Sequence, residues 1–512
     1  TTETMMPPPP PLPPAASMRH IISVVILSLC CCKQSRSLTS CSTIAKNRAS
    51  SVQLSPSPSS KESFLSLLPS SSDEMGKSMD DQQLSRNNYR VAVITGASRG
   101  IGRGIAYELG LDETMSWVVY CVGRSTRTCG ESLGGKHQRR KSWLWPIVWR
   151  RQQTINEVDS EIDRPTPSPR TVQLLDDQRP VDPTLDLSVE SIAEEISSSS
   201  SSRTKSIGIP VPCDLSDDEA VAAIFDQVRQ KHGRLDLLVC SAYTTPPQRP
   251  PDEPESDTIT SKATNTGLRG NFWDQSMDMW DAVNGIGLRQ VYACCREAAP
   301  LMIETAVMCN GSATEPSSTS SSSPPLPPPP PLICFVSSFG GKSYTFNVAY
   351  GVGKAGVDRM ALDMSYQLSK FGVATTSLYP GLVKTEANMQ MEIDGTWDEA
   401  SGGLDLSQGE TPRFSGRALV QLTKVSKDEM MKRSGQVEVV AELGSEFGFT
   451  DIDQSRPPSI RSLRYLLPNF VFPSIEKESD QPIPEWVKSN VPDILLPWSV
   501  FSSGPPPEMD TR

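Results

Sequence analysis

The sequence predicts one α/β domain built on a doubly wound parallel sheet and interrupted by long disordered insertions. Three observations carry this. From about residue 88, short runs rich in Val, Ile and Leu alternate with amphipathic helical patterns, and strands that alternate with helices assemble into a parallel sheet. The first run, Tyr89 to Thr95, passes straight into a glycine-rich turn that opens a helix. Between the periodic segments lie Ser, Pro and Thr tracts, with 45 prolines in the 512 residues. Such tracts bury too little apolar surface to offset the entropy of ordering them.

Residues 1–87 read as a non-globular leader. A basic start, Met18-Arg-His, precedes an apolar stretch from Ile21 to Cys32, and residues 33–69 are Ser-rich with Lys and Arg. The apolar stretch is short for a membrane span and suits a targeting segment. A two-part organellar leader and a signal anchor acylated at Cys30–Cys32 are both open readings. Endoplasmic-reticulum, membrane-associated or organellar location follows if the segment is used, cytoplasmic location if it is not.

The domain is expected over 88–490, with a tail at 491–512. Strands are predicted at Tyr89–Thr95, Val118–Val122, Leu237–Val239, Leu332–Val336, Val373–Tyr379 and Val437–Ala441. Ser216-Asp-Asp-Glu219 reads as a capping box with Ser216 as N-cap. The helix after it sets Val221, Ile224, Phe225 and Val228 on one face and stops at Gly233. Helices are predicted from Trp280 to about Met302 and from Val348 to Lys370, the latter closed by Gly372. Insertions are predicted at about 126–186, 244–268 and 309–331, at loop positions where added chain is best tolerated. The first holds a basic, Trp-containing run over 136–151. That composition suits an anionic membrane or single-stranded nucleic acid, and equally an unstructured insertion.

The chemistry lies in ordered motifs. Thr95-Gly-Ala-Ser-Arg-Gly-Ile-Gly102 joins a strand to a helix. Glycines there let backbone approach a pyrophosphate, and the helix N-terminus supplies amide donors and a positive dipole. Tyr350 and Lys354 are i and i+4 on one helix, so they share a face. A nearby ammonium is expected to lower the Tyr350 phenol pKa and fit it for proton transfer to a carbonyl oxygen. Ser338, at the end of a strand, is placed to hydrogen-bond the same oxygen. The second strand ends Val122-Gly123-Arg124 with no acid for a ribose 2′-hydroxyl. Arg124 and Arg99 instead suit a 2′-phosphate, which favours NADP(H) over NAD(H).

Together these motifs resemble the short-chain dehydrogenase/reductase superfamily. The glycine spacing, Tyr350-Gly-Val-Gly-Lys354, Ser338 and the Pro380-Gly381 turn fall in its order. The resemblance covers about 88–124, 186–243, 269–307 and 332 to roughly 490. Gly270-Asn-Phe-Trp273, Met279-Trp-Asp281, Gly287-Leu-Arg289, Phe346–Lys354 and Gly444–Asp451 are similar to one particular member. It implies a Rossmann-like domain with Ser338, Tyr350 and Lys354 as catalytic residues. Cofactor contacts are implied at Gly96, Ser98, Arg99, Gly100, Ile101 and Gly102, at Arg124, and at Asp214 and Leu215. Further contacts are implied at Tyr350 and Lys354, and at Pro380, Gly381, Val383 and Thr385. The implied substrate is a small hydrophobic ketone, aldehyde or alcohol, steroid-like or xenobiotic, covered by helices over about 382–435.

Two departures stand out. The family's NNAG after the fourth strand is Cys240-Ser-Ala-Tyr243 here, and its relay asparagine falls on Gly287, with Asn284 three places earlier. They motivate the rival reading of a cofactor-binding scaffold with little turnover.

Composition narrows the rest. A net charge of −11 argues against nucleic acid as a partner. The three histidines and 12 cysteines form no zinc-like spacing, so no metal is expected. The apolar runs Tyr465–Phe472 and Ile483–Trp498 suit either peripheral membrane contact or packing over a substrate cleft. Self-association is a further expectation.

Overall fold

The computed structural model describes residues 89–127, 186–199, 203–245, 271–311 and 328–501. They belong to the second of two compact units, Lys77–Arg512. The leader, the basic run at 136–151 and most of each predicted insertion lie outside the described residues.

Seven strands form one parallel sheet: β1 (Tyr89–Thr95), β2 (Ser116–Gly123), β3 (Ile207–Pro212), β4 (Leu237–Cys240), β5 (Leu332–Val336), β6 (Ala374–Tyr379) and β7 (Gln436–Val439). Their order is β3-β2-β1-β4-β5-β6-β7, with every pairing parallel. The order reverses between β1 and β4. In sheets of this kind such a reversal is where a crevice opens at the C-terminal ends of the strands.

The helices are α1 (Gly100–Gly110), α2 (Val189–Ser199), α3 (Asp218–His232), α4 (Met277–Asn284), α5 (Gln290–Gly311), α6 (Val348–Leu368), α7 (Glu386–Ile393), α8 (Trp397–Ser401), α9 (Pro412–Leu422), α10 (Lys427–Arg433) and α11 (Val440–Phe447). Alternation along each strand feeds two cores. Ala92, Ile94, Val119 and Cys121 face α1, α2, α9 and α11. Val91, Val93, Val118 and Tyr120 face α3, α5 and α6. Burial on both faces explains why the strands read as near-continuous apolar runs.

Several elements differ from expectation. The N-cap of α3 is Asp217, whose carboxylate accepts from the amides of Glu219 and Ala220, and not Ser216. The helix starts one residue later than the capping box places it, so Asp217 and not Ser216 stands at the boundary. The helix predicted from Trp280 is two, α4 and α5, joined by a π turn over Gly285–Arg289. The last strand ends at Val439, where α11 begins. The stretch 382–435 divides. The residues up to Gly409 surround the crevice side, with Met389, Trp397 and Leu406 in a small core of their own. In contrast, α9 packs against α1 on the sheet, where Gly104 and Gly416 bring the two backbones together. An Arg413–Glu108 ion pair, at 2.6 Å, closes that contact. The folded chain continues to residue 501: Trp498 stacks edge-on to Tyr379 at 5.7 Å, and Phe501 to Phe339 at 5.0 Å.

Candidate active site

The predicted site residues come from five loops and the first turns of α6, and all lie at the C-terminal edge of the sheet. The turn after β1 is built on Gly96, whose φ is +72° and whose missing Cβ would stand 2.8 Å from the Ala242 Cα. The turn after β1 therefore lies against the turn after β4. Gly102 packs on the Gly96 carbonyl, with no room for a side chain. Thr95 ties the two turns together. Its hydroxyl donates to the Val239 carbonyl at 3.2 Å and accepts from the amides of Ser241 and Ala242 at 3.1 and 3.3 Å. These bonds brace the Cys240–Tyr243 segment, which lacks the asparagines expected there.

Ser98 is buried, and its carbonyl accepts from Arg103 at 3.1 Å. Ile101 packs partly buried against the α1 core. Arg99 is the N-cap of α1 with no capping bond from its side chain. Its guanidinium donates to Ser125 at 2.7 Å. Burial holds that guanidinium below its ordinary value, and neighbouring Arg124 adds to the effect. Two cations thus share the end of β2, and among the described residues no carboxylate pairs with Arg124. Asp214, exposed after β3, accepts from the Ser216 amide at 3.1 Å, and Leu215 beside it is buried.

The amide of Gly100, at the start of α1, donates to the Glu386 carboxylate at 2.8 Å. Glu386 follows Thr385, which caps α7 through the Asn388 amide at 3.2 Å. Pro380 and Gly381 turn the chain out of β6, and Val383 bridges to Glu410. Glu410 is 1% exposed, and its carboxylate accepts from the Gly381 amide at 3.1 Å. Burial pushes it up to about 8, helped by neighbouring Asp451.

Ser338 lies two residues past β5, and Tyr350 stands in the first turn of α6. The Tyr350 hydroxyl donates to the Ser338 Oγ at 2.7 Å, while Ser338 accepts from the Gly340 amide at 3.0 Å. Asn347 caps α6, accepting from the Tyr350 amide at 2.8 Å. Before it, Phe346 holds a left-handed φ of +62° and sets its ring edge-on to Tyr350 at 5.2 Å. A bulky residue there is strained, and the Asn347 cap and the Tyr350 contact are what hold it. Lys354 lies one turn along, with Nζ donating to the Val336 carbonyl at 3.0 Å.

The electrostatics correct one expectation. The Tyr350 phenol is raised, not lowered: burial dominates and the Ser338 bond only offsets it. The Lys354 ammonium is turned towards a β5 carbonyl, and burial pushes it down to about 8 against a smaller upward pull from Asp358.

Asn284 does not reach Lys354. Its amide donates to the Ala349 carbonyl at 3.3 Å, across to the first turn of α6. Thr95 and Asn347 lie within the quoted motifs but carried no assigned role, and no motif pointed to Glu386 or Glu410. Glu386 adjoins Thr385 and was within reach of motif reading. Glu410 was not, because only the fold returns it to the Pro380–Gly381 turn.

Two family models match the chain. One is described as enoyl-(acyl carrier protein) reductase, over residues 184–324, and the other as short chain dehydrogenase, over 331–395. Dehydrogenase/reductase SDR family member 1 of Mus musculus is 33% identical over 266 residues, covering 51% of this chain and 72% of its own length. The Homo sapiens protein of that name is 31% identical over 252 residues, covering 48% and 67%. Among solved structures, a metagenomic short-chain oxidoreductase in complex with NADP has a TM-score of 0.37 at 18% identity, covering 67% of this chain and 94% of that one. A short chain dehydrogenase from Mycobacterium paratuberculosis bound to NAD has a TM-score of 0.41 at 17% identity, covering 69% and 97%.

Proposed function

This chain belongs to the short-chain dehydrogenase/reductase family of oxidoreductases, and from that premise we propose that it exchanges a hydride between NADP(H) and a hydrophobic ketone or aldehyde. The observation that carries the reading is the Tyr350–Ser338 hydrogen bond at 2.7 Å with Lys354 one turn along the same helix.

The chain's own groups suit a dinucleotide. The start of α1 has no acidic residue in its own first turn and no bond from its own N-cap side chain, so its dipole suits an anion, although the Gly100 amide already donates to the Glu386 carboxylate. Gly96 and Gly100 take positive φ in the turn that leads there. Arg99 and Arg124, two like charges at one strand end, favour an anion with two negative charges between them, which supports NADP(H) over NAD(H).

When bound, the reduced nicotinamide supplies the hydride to the carbonyl carbon. Tyr350 gives its proton to the carbonyl oxygen, and its raised pKa keeps that proton in place until the oxygen becomes basic. Ser338, already in the hydroxyl pair, donates to the same oxygen and stabilises its developing charge. Lys354 holds the ribose hydroxyls with its ammonium. Thr385, Gly381 and Val383 present the loop after β6 to the nicotinamide end. The apolar cluster of Leu382, Met389, Trp397 and Leu406, with Phe346 beside Tyr350, supports an apolar substrate.

The test follows NADPH absorbance with the full chain against a panel of ketones and aldehydes, beside Tyr350→Phe. Carbonyl-dependent oxidation lost in Tyr350→Phe is the expected result. Cofactor binding with no oxidation for any carbonyl would leave the scaffold reading instead. The NADPH to NADH affinity ratio should fall in Arg124→Ala, and an unchanged ratio refutes the cofactor assignment. Among the described residues no helix is long and apolar enough to cross a membrane. Peripheral membrane contact and self-association are proposals tested by vesicle co-sedimentation and light scattering.

A further inference from the structure

We propose that Tyr243 and Gly287 are a matched pair, in which the Tyr243 ring takes the room over Gly287 and walls Lys354 off from water. Tyr243 is then a positioning residue for the Tyr350–Lys354 pair. The inference rests on the reductase reading and deepens it. It comes from putting two departures side by side: a tyrosine where the resemblance expects glycine, and a glycine where it expects asparagine.

The structure brings the two positions into contact. A Cβ built on Gly287 would stand 3.4 Å from Cδ2 and 3.8 Å from Cε2 of Tyr243. A longer side chain directed that way overlaps the ring. The ring in turn meets Tyr350 edge-on at 6.0 Å and 88°, and the Lys354 Nζ lies 5.3 Å from its centroid. The same Nζ is 5.8 Å from the Tyr350 centroid. The ammonium is therefore flanked by two aromatic rings while it donates to Val336.

The π turn over Gly285–Arg289 contains Gly287. Such turns add a residue to a helix and cluster at functional sites. Here the turn begins right after Asn284, which bonds Ala349, so α4 clasps α6 while Gly287 faces Tyr243. The groups that face the Lys354 ammonium are the phenols of Tyr243 and Tyr350 and the carboxylate of Asp358. That carboxylate is taken by the Tyr379 hydroxyl, with Lys342 nearby. Removing the ring would lose a cation–π attraction and admit water. Tyr243 is 37% exposed, which weakens the first effect, and desolvation is the larger of the two. The net result is a Lys354 that titrates higher.

The experiment measures the titration of Lys354 directly, by acetic anhydride labelling of the full chain across pH with peptide mass spectrometry. It needs neither substrate nor cofactor. Tyr243→Ala should raise the midpoint by about one unit, and Tyr243→Phe should leave it in place. In parallel, the unfolding midpoint is read for Gly287→Asn alone and in the Tyr243→Ala background, where the asparagine should cost much less. An unmoved midpoint in Tyr243→Ala overturns the proposal. So does an equal shift in Tyr243→Phe, or an equal cost of Gly287→Asn with and without the ring. Because none of these readouts involves turnover, a failure of this proposal is told apart from a failure of the reductase reading, which a wild-type chain that reduces no carbonyl would show.

Discussion

At the scale of single residues, the centre of the site is a hydroxyl pair beside a buried ammonium. If Tyr350 is the proton donor, Tyr350→Phe should lower carbonyl-dependent turnover by about 10²–10⁴. Ser338→Ala should cost about 10²–10³, and that variant should bind NADPH as the wild type does. Lys354 carries a pH signature of its own. Burial holds its ammonium down to about 8, so its charge is lost as pH rises through that value. NADP⁺ affinity should weaken above about pH 8, and affinity that stays flat to pH 9 would remove Lys354 from the cofactor's ribose. The roles of these residues were legible because their geometry is local: a pair at i and i+4, and glycines within one turn. The pKa direction of Tyr350 was not. It depends on burial under Phe346, Tyr243 and the β5 end, which no spacing along α6 reports.

At the scale of elements, two contacts separate what pattern reading sees from what the fold selects. Both Ser216 and Asp217 are good N-caps, and sequence alone cannot place a helix boundary to one residue. The structure chooses Asp217. Asp217→Ala should therefore lose about 1 kcal/mol in chemical denaturation, while Ser216→Ala should stay within about 0.5 kcal/mol. The opposite ranking would restore the capping box. The second contact joins α7 to α1. Glu386 binds the Gly100 amide and partly offsets the effect of burial on Arg99. A cofactor phosphate brought to this helix end meets a carboxylate already there. Glu386→Gln keeps the acceptor and removes the charge, so NADPH should bind about two- to fivefold tighter, the range a single charge near a helix N-terminus is worth. Titration calorimetry decides it, and weaker binding would mean that Glu386 supports the cofactor instead. The alternation of strands with helices, and with it the parallel sheet, followed from hydrophobic period, whereas the order of the strands came only with the fold. The division of 382–435 did not, because covering loop and sheet-packed α9 are both helical and differ only in their partners.

For the whole molecule, the sheet places a buried acid where folding and site geometry pull in opposite directions. Glu410 lies beneath the Gly381 turn, with Asp451 and Tyr465 as its titratable neighbours and Ser415 donating to it at 3.3 Å. Its folded value of about 8 stands above its ordinary 4.5. Between those two values the folded chain therefore holds a proton that the unfolded chain has released. Stability from this group is complete below about pH 4.5 and declines as pH climbs towards 8. The Gly381 amide, however, bonds the ionised carboxylate more strongly and so favours the charge that the fold resists. Other acids titrate over the same range, so the measurement is a difference between wild type and Glu410→Gln, which keeps an acceptor for Gly381. Below pH 4.5 the gap between the two should be constant. Through the window above it, the wild type should lose ground by up to about 1.4 kcal/mol per pH unit. A gap that stays level from pH 5 to pH 8 would mean that Glu410 is ionised throughout in the folded chain. The turn after β6 would then rest on a standing negative charge, and the cofactor loop would owe its shape to that charge and not to a neutral, buried acid.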